Sequence, residues 1–237
     1  MILLVLACVP NTPAIVAHRG LGVLPDSEEN APDHLAAAFE AGFGAELDLR
    51  IDGDGCGGEP SAAAVEGCFD LGHSAPNGHT FAEVVEAFSA MDADLAGPTL
   101  VLDVVNDPDR QVSLQIVEYL SVALPGTVLG QTPILLESSS LDGLAMIHAS
   151  VETLHPDLDL RLAVTYFADP ELTVPDYVDA VVTHIGELPT DPMPVPVAAF
   201  GVATQSSVKA AMYAASDVQW VITDVPTRVA GITDEAR

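Results

Sequence analysis

Five side chains stand out by type and spacing: His18 and Arg19 in IVAHRG, Glu46 and Asp48 in ELDLR, and Asp103 in LVLDVV. Glu46 and Asp48 are two apart in a strand-like run, so alternation places both carboxylates on one face. Leu47 and Leu49 occupy the other face and favour a strand packed on helices over a surface strand, where the same acids would simply be solvated. Three carboxylates converging on one point are costly unless a cation neutralises them. An oxygen-only set suits Mg2+ or Ca2+ rather than zinc. Arg19 adds a forked donor matched to a phosphate group.

Such residues need a scaffold that gathers them. Short apolar or β-branched runs predict eight strands, near 14–18, 44–50, 99–105, 133–137, 160–166, 178–183, 196–202 and 218–223. Alanine-rich helical patterns cover 31–41, 80–91, 110–123, 141–154 and 205–215, with Asn30 read as the N-cap of the first, Pro32 in its first turn and Gly42 as its stop. Eight alternating units predict an α/β fold of the closed (β/α)8 barrel type, a TIM barrel. In that fold reacting groups sit at the carboxyl ends of strands, where His18, Arg19, Glu46, Asp48 and Asp103 all fall. The long segment after the second strand, with its strand-like FDLGH at 69–73, predicts a small insertion, and the Pro-rich LPTDPMPVP predicts a short or missing helix late in the chain. Residues 11–237 form one domain in this reading.

The chain has 237 residues, 49% of them apolar, enough to build a core without disulfides or metal. Lys and Arg total 7 against 35 Asp and Glu, a formal charge of −28. A polyanion is repelled by such a surface, which excludes nucleic-acid binding; Lys209 is the single lysine. No apolar run approaches the roughly 18 residues of a membrane span. The start, MILLVLAC, resembles a short lipoprotein signal over residues 1–10 with Cys8 as a membrane tether, or else an N-terminal strand. Cys56 and Cys68 have no CxxC or nearby histidine, which favours a disulfide over free thiols or a soft metal site, and with it an exported protein in an oxidising compartment.

The sequence resembles the glycerophosphodiester phosphodiesterase family. The resemblance runs through IVAHRG (15–20), EENAPDHLAAAFEAGF (28–43), ELDLRIDGDG (46–55), LGHS (71–74), LVLDVVN (100–106) and ITDVP (222–226). It implies that His18 and His73 are the catalytic acid and base, that Arg19 contacts phosphate, and that Glu46, Asp48 and Asp103 hold the divalent metal. Glu29 and Asn30 then support the site. The expected substrate is a small-molecule phosphodiester, cleaved to glycerol 3-phosphate and an alcohol. Three positions depart from the family pattern: Val105 where a lysine is usual, Asp103 where glutamate is usual, and Ser74 after His73. Asp103 also resembles the aspartate of sphingomyelinase D-like lyases acting on choline lipids, and Val105 keeps a phosphoryl-ligand-binding barrel in play. His34, His79, His148 and His155 read as structural or solvated, Asp224 as a turn cap, Phe200 and Trp220 as core or mouth aromatics, and His184 has no spacing that ties it to the others.

Overall fold

Along each strand the buried residues alternate between two destinations. Val16, Val101, Leu135, Ala163, Ala180, Val182, Ala198, Trp220 and Ile222 meet one another in a cluster of their own. Their neighbours Ala17, Leu47, Leu49, Leu102, Leu136 and Val181 pack instead with helical residues such as Leu35, Phe39, Val84, Ile116 and Leu144. A period of two with both faces buried is the pattern of a parallel sheet sheathed by helices, and here the sheet closes on itself.

The computed structural model describes residues 13–22, 28–51, 69–91, 99–105, 110–125, 127–166, 173–189, 191–212 and 218–235. β1 (Ala14–His18) leads to α1 (Pro32–Glu40), β2 (Gly44–Ile51), β3 (Phe69–Leu71), α2 (Phe81–Ser89), β4 (Leu100–Val104), α3 (Arg110–Ala123), β5 (Ile134–Ser138), α4 (Leu141–Leu154), β6 (Leu160–Tyr166), β7 (Ala180–His184), β8 (Val197–Phe200), α5 (Gln205–Met212), β9 (Val218–Thr223) and α6 (Pro226–Glu235). The sheet runs β1-β9-β8-β7-β6-β5-β4-β2-β3, and pairing of β1 with β2 closes eight parallel strands into a barrel. This is the TIM barrel expected. β3 is the exception: it lies antiparallel on the end of β2, with Leu49 opposite Leu71 and Ile51 opposite Phe69, the inserted ribbon that FDLGH implied.

Inside, Trp220 donates its indole N–H to Thr99 Oγ1 at 3.0 Å and, with Val101 and Leu135, helps fill the barrel beneath the mouth. Outside, α2 begins with a reciprocal capping box between Thr80 and Glu83, and Gly42 ends α1 at a φ of +81° that an L side chain resists. Between β7 and β8 the described residues hold one 3₁₀ turn, Ile185–Glu187, and no α-helix. Among the described residues no helix is long and apolar enough to cross a membrane. Residues 1–10, with Cys8, and the Cys56 and Cys68 pair lie outside the described residues.

Two expectations need correction. Asn30 does not cap α1. The cap is Ala31, without a side-chain bond, while Asn30 is fully buried with φ +61° and turns its amide to Asp48. Asp224 does not cap the turn after β9 either: Thr223 Oγ1 accepts from the Val225 N–H, and the Asp224 carboxylate reaches across to His18. In both cases a distant partner outcompetes the local turn. One helix, α6, went unpredicted, because PTRVAGITDE is rich in Thr, Asp and Gly; Pro226 at its first position was the available signal.

Candidate active site

The mouth is built around the turn at the end of β1. Arg19 has a left-handed φ of +57°, uncommon for a non-glycine residue, and the turn is held from both sides. Its N–H reaches the Glu46 backbone oxygen and Oε2, each at 3.0 Å, while its carbonyl accepts from the Asn30 N–H at 2.9 Å. A backbone outlier locked this firmly is a mark of a functional turn.

Register then lines up the acids. Asp48 of β2 lies opposite Asp103 of β4, and Asp103 lies opposite Glu137 of β5. Oxygens of Glu46, Asp48 and Asp103 lie within 4.8 Å of one another. Asp48 Oδ2 accepts from Asn30 Nδ2 and sits beside Arg19 Nε, both at 2.9 Å, and the Asp48 N–H donates to Asn30 Oδ1. Its other oxygen, Oδ1, is buried with no hydrogen-bond partner among the described residues. An orphaned carboxylate oxygen within an all-oxygen triad is the environment a hard divalent cation satisfies. The residues therefore fit the metal that the sequence implied.

Protonation reflects the same crowding. Burial, then the charges of Asp48 and Asp103, hold the Glu46 carboxyl well above its usual range. Burial and Asp48 push Asp103 up to about 7, and burial and Asp103 push Glu137 up to about 8, against the hydrogen bond from Thr165. Burial alone would lower Arg19, but Asp48, Glu46 and Glu29 outweigh it and raise it. The guanidinium is tied to Glu29 Oε2 at 3.0 Å as well as to Asp48.

The two histidines implied by the resemblance arrive by different routes. His18 stands at the end of β1, its Nδ1 2.6 Å from Asp224 Oδ1 and its Nε2 3.8 Å from Glu46 Oε2. A carboxylate only accepts, so Nδ1 carries the proton and Nε2 is directed at the acids. His73 is delivered by the ribbon: the Gly72 N–H donates to the Asp48 carbonyl at 3.1 Å, and Arg50 donates to the His73 carbonyl at 2.9 Å. Among the described residues the exposed His73 ring has Ser74 Oγ, at 3.4 Å, beside it. Asn77 ties the same ribbon to the Glu29 carbonyl.

His18, Arg19, Glu46, His73, Asp103, Val105, Glu137 and Phe200 all line one cavity of about 360 Å3. Among its described lining residues Arg19 is the one Lys or Arg, and Val105 stands where the resemblance implied a lysine. Glu137 was not singled out in the sequence, although PILLE ends its strand in an acid just as the others do. Arg50 and Asp224 were also missed as site residues. His34, His79, His148 and His155 pair with surface glutamates at 3.2–3.8 Å, away from the cavity.

The fold has a solved counterpart. A crystal structure from Silicibacter pomeroyi DSS-3, described as a "putative glycerophosphoryl diester phosphodiesterase", superposes with a TM-score of 0.63 at 16% identity. The match covers 96% of this chain and 95% of that one. No protein-family model matches the sequence, and no curated protein matches it. At this identity the likeness shows the barrel fold.

Proposed function

We propose that this chain is a metal-dependent phosphodiesterase of the glycerophosphodiester phosphodiesterase type, cleaving a glycerophosphodiester to glycerol 3-phosphate and an alcohol. The observation that carries this reading is the triad Glu46, Asp48 and Asp103, one oxygen of it orphaned, with Glu46 and Asp103 lining a cavity shared with two histidines. A binding site alone has no use for an acid and a base.

Glu46, Asp48 and Asp103 would hold Mg2+ or Ca2+, which when bound offsets charge on the phosphoryl oxygens. Arg19, fixed by Glu29 and Asp48, presents its guanidinium to the same oxygens. Asp224 keeps His18 in the tautomer with a free Nε2, and His73 lines the same cavity. One imidazole takes the proton of the attacking hydroxyl as its oxygen bonds to phosphorus. The other gives a proton to the alcohol oxygen as the second P–O bond breaks. When the attacking hydroxyl is the glycerol arm's own, the first product is a cyclic phosphate, which water opens by the same exchange.

Asp103 in place of glutamate supports a second reading, a lyase on choline lipids that stops at the cyclic phosphate. Export, with Cys8 as a tether and Cys56 bonded to Cys68, belongs to the same proposal and is supported by MILLVLAC and the cysteine context. The test is an assay of purified protein on glycerophosphocholine, glycerophosphoethanolamine and sphingomyelin, with and without chelator. Glycerodiester turnover that chelation abolishes, and that His18→Ala and His73→Ala each reduce by about 10²–10⁴-fold, is expected. Activity indifferent to both substitutions would overturn the mechanism.

A further inference from the structure

Asp48, Asp103 and Glu137 stand in one row across β2, β4 and β5, each paired in register with the next. Neighbouring strands lie roughly 4.8 Å apart, so consecutive acids of the row are close enough to share ions. The triad of Glu46, Asp48 and Asp103 uses one end of that row, and Glu137 is the other end. Glu137 lies outside the group whose oxygens fall within 4.8 Å of one another, and so as placed it does not complete the same ion's shell.

Half of the Glu137 carboxylate has nothing to hold. The residue is 6% exposed and lines the cavity beside Ser139 and Thr165. Thr165 donates to its Oε1 at 2.8 Å, and Oε2 takes no hydrogen bond from a described residue. No Lys or Arg of the described lining offsets the charge: Arg19 is already bound to Asp48 and Glu29, and Val105 of the same lining is apolar. A single ion therefore falls short. Three carboxylates already exceed the charge of one divalent cation, and Glu137 adds a fourth where an anionic diester must enter. Mg2+ is commonly held by one or two carboxylates, with water and substrate phosphate completing its shell. Asp103, Glu137 and an open cavity offer that set. Paired cations of this kind lie about 3.5–4 Å apart, which the row of acids accommodates.

We propose that the cavity binds a second divalent cation between Asp103 and Glu137, with Asp103 bridging it to the ion of the triad. The hold of that cation on phosphoryl oxygens rests on the phosphodiesterase reading; the cation site itself stands on Glu137 and the cavity.

The test titrates the full chain with Mn2+, an ion of the same oxygen chemistry, with inorganic phosphate present. About 1 M KCl shortens the screening length to about 3 Å and suppresses binding to the acidic surface. Equilibrium dialysis counts the bound ions, and electron paramagnetic resonance reports whether they are coupled. Two Mn2+ per chain with an exchange-coupled signal are expected, and Glu137→Gln should keep one, uncoupled. That retained ion identifies the variant as folded. One ion in the wild-type chain, two ions without coupling, or a coupled pair surviving in Glu137→Gln would overturn the site. In turnover of glycerophosphocholine the rate should rise with the square of free Mg2+ at low concentration, and linearly in Glu137→Gln. That variant should lose about 10²-fold in kcat/KM, and Val105→Lys added to it should recover about tenfold. A coupled pair in a protein that cleaves no diester would sink the phosphodiesterase reading and leave the second cation standing. Diester cleavage of first order in metal, with one ion bound, would do the reverse.

Discussion

The two halves of the barrel mouth solve opposite problems. On the β2, β4 and β5 side acids face one another, and three of them are tightly held: Asp48 by Asn30 and Arg19, Glu46 by the Arg19 N–H, Glu137 by Thr165. On the β7, β8 and β9 side the described part of the connection from β7 to β8 holds one 3₁₀ turn and no α-helix, and Asp224 stands more than half exposed. Charge is concentrated where it is hardest to solvate. On the phosphodiesterase reading, the first half supplies the metal ligands. His18 belongs to both, with one ring nitrogen turned to each.

Substitutions can break that contrast. The largest effect is expected from Asp48→Asn, which removes a charge from the triad at constant shape: metal affinity measured by calorimetry and turnover should both fall by at least about 10²-fold. Asp224→Asn tests the shared histidine from the other side. It keeps the size of the side chain and frees the ring tautomer, so kcat should fall on the order of 10–100-fold with KM little changed. The His18 imidazole nitrogen shifts in NMR should move with it, a response that a merely structural residue would not give.

A smaller effect separates the halves by pH. Glu46, Asp103 and Glu137 are raised above their unfolded values, so without metal the folded state binds more protons than the unfolded one. Their stabilisation is therefore fully present below the usual carboxylate pKa and is lost as pH rises through about 7 and about 8. Melting in chelator should fall between pH 5 and about 9, and added Mg2+ or Ca2+ should flatten the slope. Glu137→Gln should flatten it in part. The smallest expected effect is that of Asn30→Ala, which strips two hydrogen bonds from Asp48 at a left-handed position. About 1–3 kcal/mol of stability should go, read by denaturant unfolding, while Asn30→Gly relieves the backbone and not the bonds.

Much of this architecture was legible in the order of residues, and the exceptions share a cause. Strands such as TLVLDVV and PILLE declare themselves by local composition, and so does the alternation of Glu46 and Asp48 with Leu47 and Leu49. Asn30 before Ala31-Pro32 has the local chemistry of a cap, but its amide is claimed by Asp48, 18 residues on. Asp224 looks like a turn residue until its partner 206 residues away is in place. Glu137 joins the acids through barrel register, which no single strand contains. Closure of a sheet creates neighbours that local pattern does not carry.

The ribbon at the end of β2 makes one part of the site separable from the rest. His73 rides on β3 and its succeeding turn, clipped to the barrel through Asp48, Arg50 and Asn77, and not on a strand of the barrel wall. Because Ile51 and Phe69 are paired, the chain between them leaves and returns at fixed points. On the proposed mechanism, one of the two imidazoles is thus mounted on an arm outside the barrel wall, which a designer could retune while the rest of the scaffold stays as it is.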